Sequence, residues 1–180
     1  MNANTYEDHY KTFLSEFHTL AKHKHRFEVF RDFVTLSALS LSNAVHMNQE
    51  REAEYHEIRK SYSKEDMDVF AKLLGLLVQI LDKQPHDALG ELFMRLEIAS
   101  KDKGQFFTPS SVSDLMAQIT YGSELDDLKK PFITLSEPAC GAGGMVLSFV
   151  KLMIEKGHNP ADRMWTQCID IDRLAGLMCF

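Results

Sequence analysis

Through the first hundred residues, apolar positions return every three or four residues with polar ones between them, the period of a helix with one buried face. Tyr6, Tyr10, Phe13, Phe17 and Leu20 follow at spacings of 4, 3, 4 and 3. They predict one helix whose stripe belongs to a core or a subunit interface. Phe30, Val34, Ala38, Leu41 and Val45, spaced 4, 4, 3 and 4, predict a second. Glu50 to Ser61 is mostly polar and reads as a solvated helix or a connector. Ser63 then stands before Lys64, Glu65 and Asp66, a hydroxyl followed by acids, which suits a helix N-terminus. Met67, Phe70, Leu73, Leu74, Leu77, Ile80 and Leu81 carry that helix forward. The stretch KQPHD interrupts the pattern, and Asp87 is placed to cap a further helix in DALGELFMRLEIA.

The pattern changes after SKDKGQ. Thr108 is the expected N-cap of another helix, with Pro109 at its first position, where a missing N–H costs nothing. YGSELDDLKK reads as a polar connector, and PFITLS as a buried strand. A cluster of glycines opens a helix from about Gly143 to Lys156, with Ser148, Lys151 and Glu155 on its polar face. Gly157 suits its C-terminus, and Pro160 follows. RMWTQCIDID is a second strand ending in acids. Strand, glycine turn, helix and strand make a βαβ unit and hence a parallel sheet with a right-handed crossover. The expected class is α/β, with an all-helical region over residues 1–100 and the start of a doubly wound sheet over residues 101–180. Two strands are too few for such a sheet, so the chain reads as the front part of a longer protein.

Composition narrows the functional classes. The chain is 44% hydrophobic and 26% charged, ordinary for a globular protein, and its net charge of -6 argues against a free-standing basic nucleic-acid binder. Cys140, Cys168 and Cys179 are odd in number and form no Cys-x-x-Cys pair, which points to a reducing compartment, the cytoplasm. The polar start MNANTYEDHY is no signal peptide, and FAKLLGLLVQIL is too short to span a bilayer, so no membrane partner is expected. The basic cluster Lys22 to Arg26 reads as a solvated inter-helix loop in preference to a phosphate contact. His23 and His25 lack the further ligands a metal site needs, and no metal is expected.

The densest chemistry lies in SEPACGAGGM, Ser136 to Met145. Ligands of βαβ units sit beyond the carboxyl ends of the strands, where this turn falls. Glycines there allow positive φ and close backbone approach. The dinucleotide fingerprint Gly-x-Gly-x-x-Gly is met only at Gly141 and Gly143, since its third position is Val146, and no phosphate-loop Gly-Lys-Ser/Thr follows. Two acids decide the ligand class. Asp170 at the end of the second strand is placed for ribose hydroxyls. Glu137 at the end of the first would repel a diphosphate and attract a cation. A nucleoside carrying positive charge satisfies both, and S-adenosylmethionine has that form. The alternative is a structural glycine turn with solvated acids. Cys140 reads as a small packing residue, because no histidine adjoins it as a base.

GQFFTPSSVSDLM, Gly104 to Met116, stands some thirty residues ahead of EPACGAGG. Together these segments resemble the amino-group DNA methyltransferases, above all the N6-adenine kind that forms the modification subunits of type I restriction–modification systems. The likeness is specific over residues 87–180 and loose over residues 1–86. It implies a Rossmann-like methyltransferase domain using S-adenosylmethionine. It implies that Gln105, Phe106, Phe107, Thr108 and Pro109 cover the methionine end of the cofactor, with free N–H groups after Thr108 receiving its carboxylate. Glu137 replaces the family's usual Asp and would pair with the cofactor's ammonium. Pro138, Ala139 and Cys140 would shape the turn, and Gly141, Ala142, Gly143 and Gly144 would let backbone meet cofactor. Asp170 would hold the ribose, with Ile171 and Asp172 near the adenine. The implied partners are double-stranded DNA, a specificity subunit and a restriction subunit.

The family's catalytic Asn/Asp-Pro-Pro-Tyr/Phe is not found. Asn159-Pro160 is followed by Ala161 and lies in a helix-to-strand connector. In the family that motif holds the target amino group of a base turned out of the duplex. The expectation is therefore a cofactor-binding part of an adenine-N6 methyltransferase, inactive alone, with no catalytic residue assigned. Two alternatives stay open: a non-catalytic cofactor-binding or assembly fragment, and a related methyltransferase acting on protein glutamine.

Overall fold

The computed structural model describes residues 3–96 and 107–180, without the side chains of residues 3–6. Tyr6, Gln105 and Phe106 thus lie outside the described residues in their side chains or altogether. Two compact units emerge, one from residues 3–83 and 92–96, the other from 84–91 and 107–180.

The first unit holds α1 (Ala3–Thr19), α2 (Arg26–Val45), α3 (Gln49–Arg59), α4 (Lys64–Leu81) and the second half of α5 (Ala88–Arg95). Its core is aromatic. Tyr10, Phe13, Phe17 and Leu20 of the first stripe are fully buried. Phe13 meets Phe33 edge-on with ring centroids 5.6 Å apart, and Phe30 meets Phe93 edge-on at 5.5 Å, the geometry the ring quadrupole favours. The second stripe holds only in part. Phe30, Val34 and Ala38 are buried, but Leu41 is 52% and Val45 90% exposed. At that end α2 meets α3 through polar groups, Asn43 donating to Glu52 at 2.9 Å and Arg51 to the His46 carbonyl. No residue of α3 is buried, so it offers the last turns of α2 no apolar cover.

The basic cluster departs from the expected solvated loop. The Arg26 guanidinium donates to the carbonyls of Leu20 (2.8 Å), Ala21 (2.7 Å) and Lys24 (3.0 Å). These include carbonyls at the end of α1, where the helix has no partners of its own to offer. Lys24 pairs with Glu28 at 2.6 Å and lies over the Tyr62 ring. Ser63 does cap α4. Its Oγ accepts from Asp66 N at 3.0 Å while Asp66 Oδ2 accepts from Ser63 N at 3.3 Å, a reciprocal box. Asp66 Oδ1 also accepts from Ala21 N at 3.1 Å, tying the end of α1 to the start of α4. Ser63→Ala is expected to lower the unfolding free energy by about 1 kcal/mol, read as a lower urea midpoint, with Ser63→Asn close to wild type.

The second unit holds the first half of α5, α6 (Ser110–Asp126), β1 (Ile133–Glu137), α7 (Gly144–Glu155), α8 (Pro160–Arg163), β2 (Met164–Cys168) and α9 (Arg173–Cys179). β1 and β2 pair in parallel from Ile133–Met164 to Glu137–Cys168, joined through α7 and α8. The described residues are thus mostly helical with a small parallel sheet, an α/β arrangement. The core is Ala117, Leu125, Ile133, Phe149, Leu152 and Met153, from α6, β1 and α7. Gly157 at φ +79° ends α7, with Gly157 N donating to Ile154 O (3.0 Å) and His158 N to Met153 O (2.9 Å), a Schellman closure.

Boundaries differ from expectation in four places. YGSELD is helical, the last third of α6 and no connector. Ala117, Tyr121 and Leu125 keep the four-residue spacing across Gly122, and Tyr121 sits edge-on to Phe149 at 4.7 Å. Tertiary packing outweighs the poor helix propensity of Gly122 and Ser123. The start of α6 is Ser110, and Pro109 takes the cap position in place of Thr108, its carbonyl accepting from Val112 N and Ser113 N. β2 stops at Cys168, so Asp170 lies two residues beyond the strand. The connector before β2 contains the one-turn α8, capped by Asn159 with Pro160 at its first position. The expected polar face of α7 also turns inward in part. Ser148 and Lys151 reach Asp114 of α6 at 2.6 and 2.7 Å.

Candidate functional site

Beyond their last paired residues the two strands stay zipped. Ile169 N donates to Glu137 O at 2.9 Å, and Cys140 N to Ile169 O at 2.9 Å. The loop after each strand is therefore held beside the other. Glu137 folds back on its own turn, Oε1 accepting from Ala139 N at 3.1 Å. Asp170 is the bridge between the loops. Its Oδ2 accepts from Gly141 N at 2.8 Å and its Oδ1 from Asp172 N at 2.8 Å. Asp172 in turn caps α9 by accepting from Leu174 N at 2.8 Å. Each Asp170 oxygen has a second lone pair beyond these bonds.

The glycines are required by conformation and by what lies against them. Gly141 has φ +54° and Gly143 φ +90°, backbone that glycine adopts at no steric cost. A Cβ on Gly141 would lie 3.5 Å from the Phe107 ring. One on Gly143 would lie 3.2 Å from Cys179 Sγ, and one on Gly144 would lie 3.6 Å from both Asp87 Oδ2 and Ser113 Oγ. Gly143 caps α7 with no side-chain hydrogen bond, so the first N–H groups of that helix face out of the turn without an intrahelical acceptor. A turn with these donors, acids on both flanks and a ring at one side can bind a ligand with anionic and cationic ends.

Of the residues singled out in the sequence, Phe107, Glu137, Cys140, Gly141, Ala142, Gly143, Gly144 and Asp170 gather at this turn. Pro138 is exposed on its rim, and Ile171 projects fully into solvent. Thr108 and Pro109 stand exposed at the start of α6. Burial pushes the Cys140 thiol up, which suits packing better than nucleophilic attack. Three neighbours carry no local signal of their place. Cys179 reaches the turn from α9, Asp87 from the start of α5 and Ser113 from the first turns of α6. No group of three or more His, Cys, Asp or Glu among the described residues is placed to hold a metal.

The family model described as N-6 DNA Methylase matches residues 87–177, half of the chain. The chain belongs to the N-6 DNA methylase family. The matched span starts at Asp87 and takes in the glycine turn and Asp170. The chain is 26% identical over 132 residues to the Type I restriction enzyme MpnII methylase subunit of Mycoplasma pneumoniae. That alignment covers 69% of this chain and 20% of the relative, so the chain spans about a fifth of the relative's length. No solved structure gives a significant match. Among the described residues no helix is long and apolar enough to cross a membrane.

Proposed function

We propose that this chain is the S-adenosylmethionine-binding part of an adenine-N6 DNA methyltransferase of the type I modification-subunit kind. In this reading residues 1–100 form a helical region and residues 101–180 the start of a Rossmann-like methyltransferase domain in the cytoplasm. Its partners are DNA and a specificity subunit, and a restriction subunit in the whole assembly. The observation that carries the reading is the turn Gly141–Gly144 locked between Glu137 and Asp170 with the Phe107 ring against it. The free N–H groups after Thr108, at the start of α6, suit the cofactor's carboxylate, and the glycine turn lets backbone meet the cofactor. Glu137 suits its ammonium, and the spare lone pairs of Asp170 suit ribose hydroxyls. Phe107, Thr108 and Pro109 suit the methionine end, a role that the sequence resemblance also gives to Gln105 and Phe106. When bound, the cofactor supplies the methyl group. This chain's residues bind and orient it.

Titration calorimetry of the full chain with S-adenosylmethionine tests the reading. Saturable one-to-one binding is expected, weakened about five- to thirtyfold in Phe107→Ala, the loss of one aromatic contact of about 1–2 kcal/mol. Folded protein that binds no cofactor would sink the proposal. Incubation with DNA and methyl-labelled cofactor is expected to leave the DNA unlabelled, since the sequence holds no Asn/Asp-Pro-Pro-Tyr/Phe.

A further inference from the structure

Beneath the glycine turn lies a buried polar pair that the proposed cofactor contacts do not use. Asp87 is 8% exposed and caps α5, its Oδ1 accepting from Gly90 N at 2.7 Å. Oδ2 lies over Gly90 as well and comes within 3.6 Å of where a Cβ on Gly144 would stand. Ser113 Oγ lies at the same 3.6 Å from that point. Ser113 is completely buried, and its hydroxyl has no hydrogen-bond partner among the described residues. The carbonyl four residues back, that of Pro109, already accepts from Val112 N and Ser113 N. A buried hydroxyl without a partner is costly unless a neighbouring group or a ligand organises it, and the Asp87 carboxyl is the nearby polar group.

Few charges surround Asp87. Glu91 on its own helix repels its ionised form. Asp114 on α6 is engaged by Ser148 and Lys151 of α7. His86 holds the Gln84 carbonyl at 2.8 Å through Nδ1. No cation among these faces the carboxyl, and burial raises it to about 6, against the lowering effect of Gly90 N–H.

We propose that Asp87, with Ser113, is a positioning residue under the glycine turn, and that cofactor binding at the turn is coupled to loss of its proton. The inference rests on the S-adenosylmethionine reading. S-adenosylmethionine carries a net positive charge, through sulfonium and ammonium against one carboxylate. Its charge at the turn favours an ionised Asp87, and linkage then requires that ionisation strengthen binding. Free protein near pH 5 holds the proton, and near pH 7.5 it does not. Affinity therefore rises with pH through that window, and binding below about pH 6 releases a proton to the buffer. S-adenosylhomocysteine, which lacks the sulfonium charge, carries a smaller pH dependence.

The test is calorimetry of the full chain at pH 5.0 to 7.5 with both ligands, each in two buffers of different ionisation enthalpy. Wild type should bind S-adenosylmethionine up to about tenfold more tightly at pH 7.5 than at pH 5.0, a pKa displaced by about one unit on binding. Buffer-dependent heat should report proton release at low pH. Asp87→Asn keeps an oxygen for Gly90 N and should bind with neither the pH slope nor the proton release of wild type. Ser113→Ala should retain the slope with a displaced midpoint. Wild-type affinity that is flat or falls with pH overturns the coupling, as does an Asp87→Asn profile that matches wild type. The two-buffer heats on wild type decide the matter even if the variants do not fold. Absence of binding at every pH would instead remove the cofactor reading on which this stands.

Discussion

Replacing Asp170 with alanine is expected to abolish S-adenosylmethionine binding and to destabilise the second unit by about 2–4 kcal/mol, two charge-assisted hydrogen bonds with part recovered by water. The size follows from geometry. Gly141 N and Asp172 N both end on this one carboxylate, at 2.8 Å each. Without it the turn after β1 and the loop after β2 lose their side-chain link and keep only the backbone bonds of Glu137, Cys140 and Ile169. Asp170→Asn separates shape from charge. Its single carbonyl oxygen can serve one N–H, while its amide turns a donor toward the other. Urea midpoints should fall in the order wild type, Asn, Ala. On the proposed S-adenosylmethionine reading, cofactor affinity should fall further in Asn than its stability does, because the amide would offer fewer acceptors to ribose hydroxyls. An alanine variant with the wild-type midpoint would show that the carboxylate is no part of the turn's support.

What could be read along the chain is what local physics specifies. The strand–turn–helix–strand order of β1, α7 and β2 follows from a switch of hydrophobic period punctuated by glycines. Ser63 and Asp87 announce helix starts because capping is decided within three residues. The errors have the opposite origin. Leu41 and Val45 carry the right spacing and yet face solvent, because periodicity reports a face and never whether a partner covers it. The last turns of α6 were hidden by Gly122 and Ser123, whose poor propensity is overruled by Tyr121 on Phe149 and by buried Leu125. Arg26 was hidden among solvated-looking lysines and histidines, since its acceptors are helix-end carbonyls that carry no sequence signal. At the site, the glycines, Glu137 and Asp170 were legible as strand-end chemistry. Cys179, Ser113 and the approach of Asp87 to Gly144 were not, because each arrives from a distant segment.

Gly143 joins both kinds of constraint, and Gly143→Ala is expected to cost about 2–4 kcal/mol from two separable sources. The first is conformational. At φ +90° and ψ 9° an alanine Cβ is strained whatever surrounds it, a cost of about 1–2 kcal/mol. The second is steric. The new Cβ would stand 3.2 Å from Cys179 Sγ and 3.6 Å from Cys179 Cα, so the sulfur must move while the backbone contact is ordinary. Cys179 ends α9, the helix that Asp172 caps, so displacing it pulls on the Asp170 loop. A double-mutant cycle resolves the two sources. Gly143→Ala in a Cys179→Ala background should recover the steric part, a coupling of about 1–2 kcal/mol, and leave the conformational part intact. Strict additivity in urea unfolding would mean that Cys179 yields freely and that only the backbone dictates glycine at this position. Coupling above that range would mean that the contact between α9 and the turn, more than φ, explains why position 143 admits no side chain.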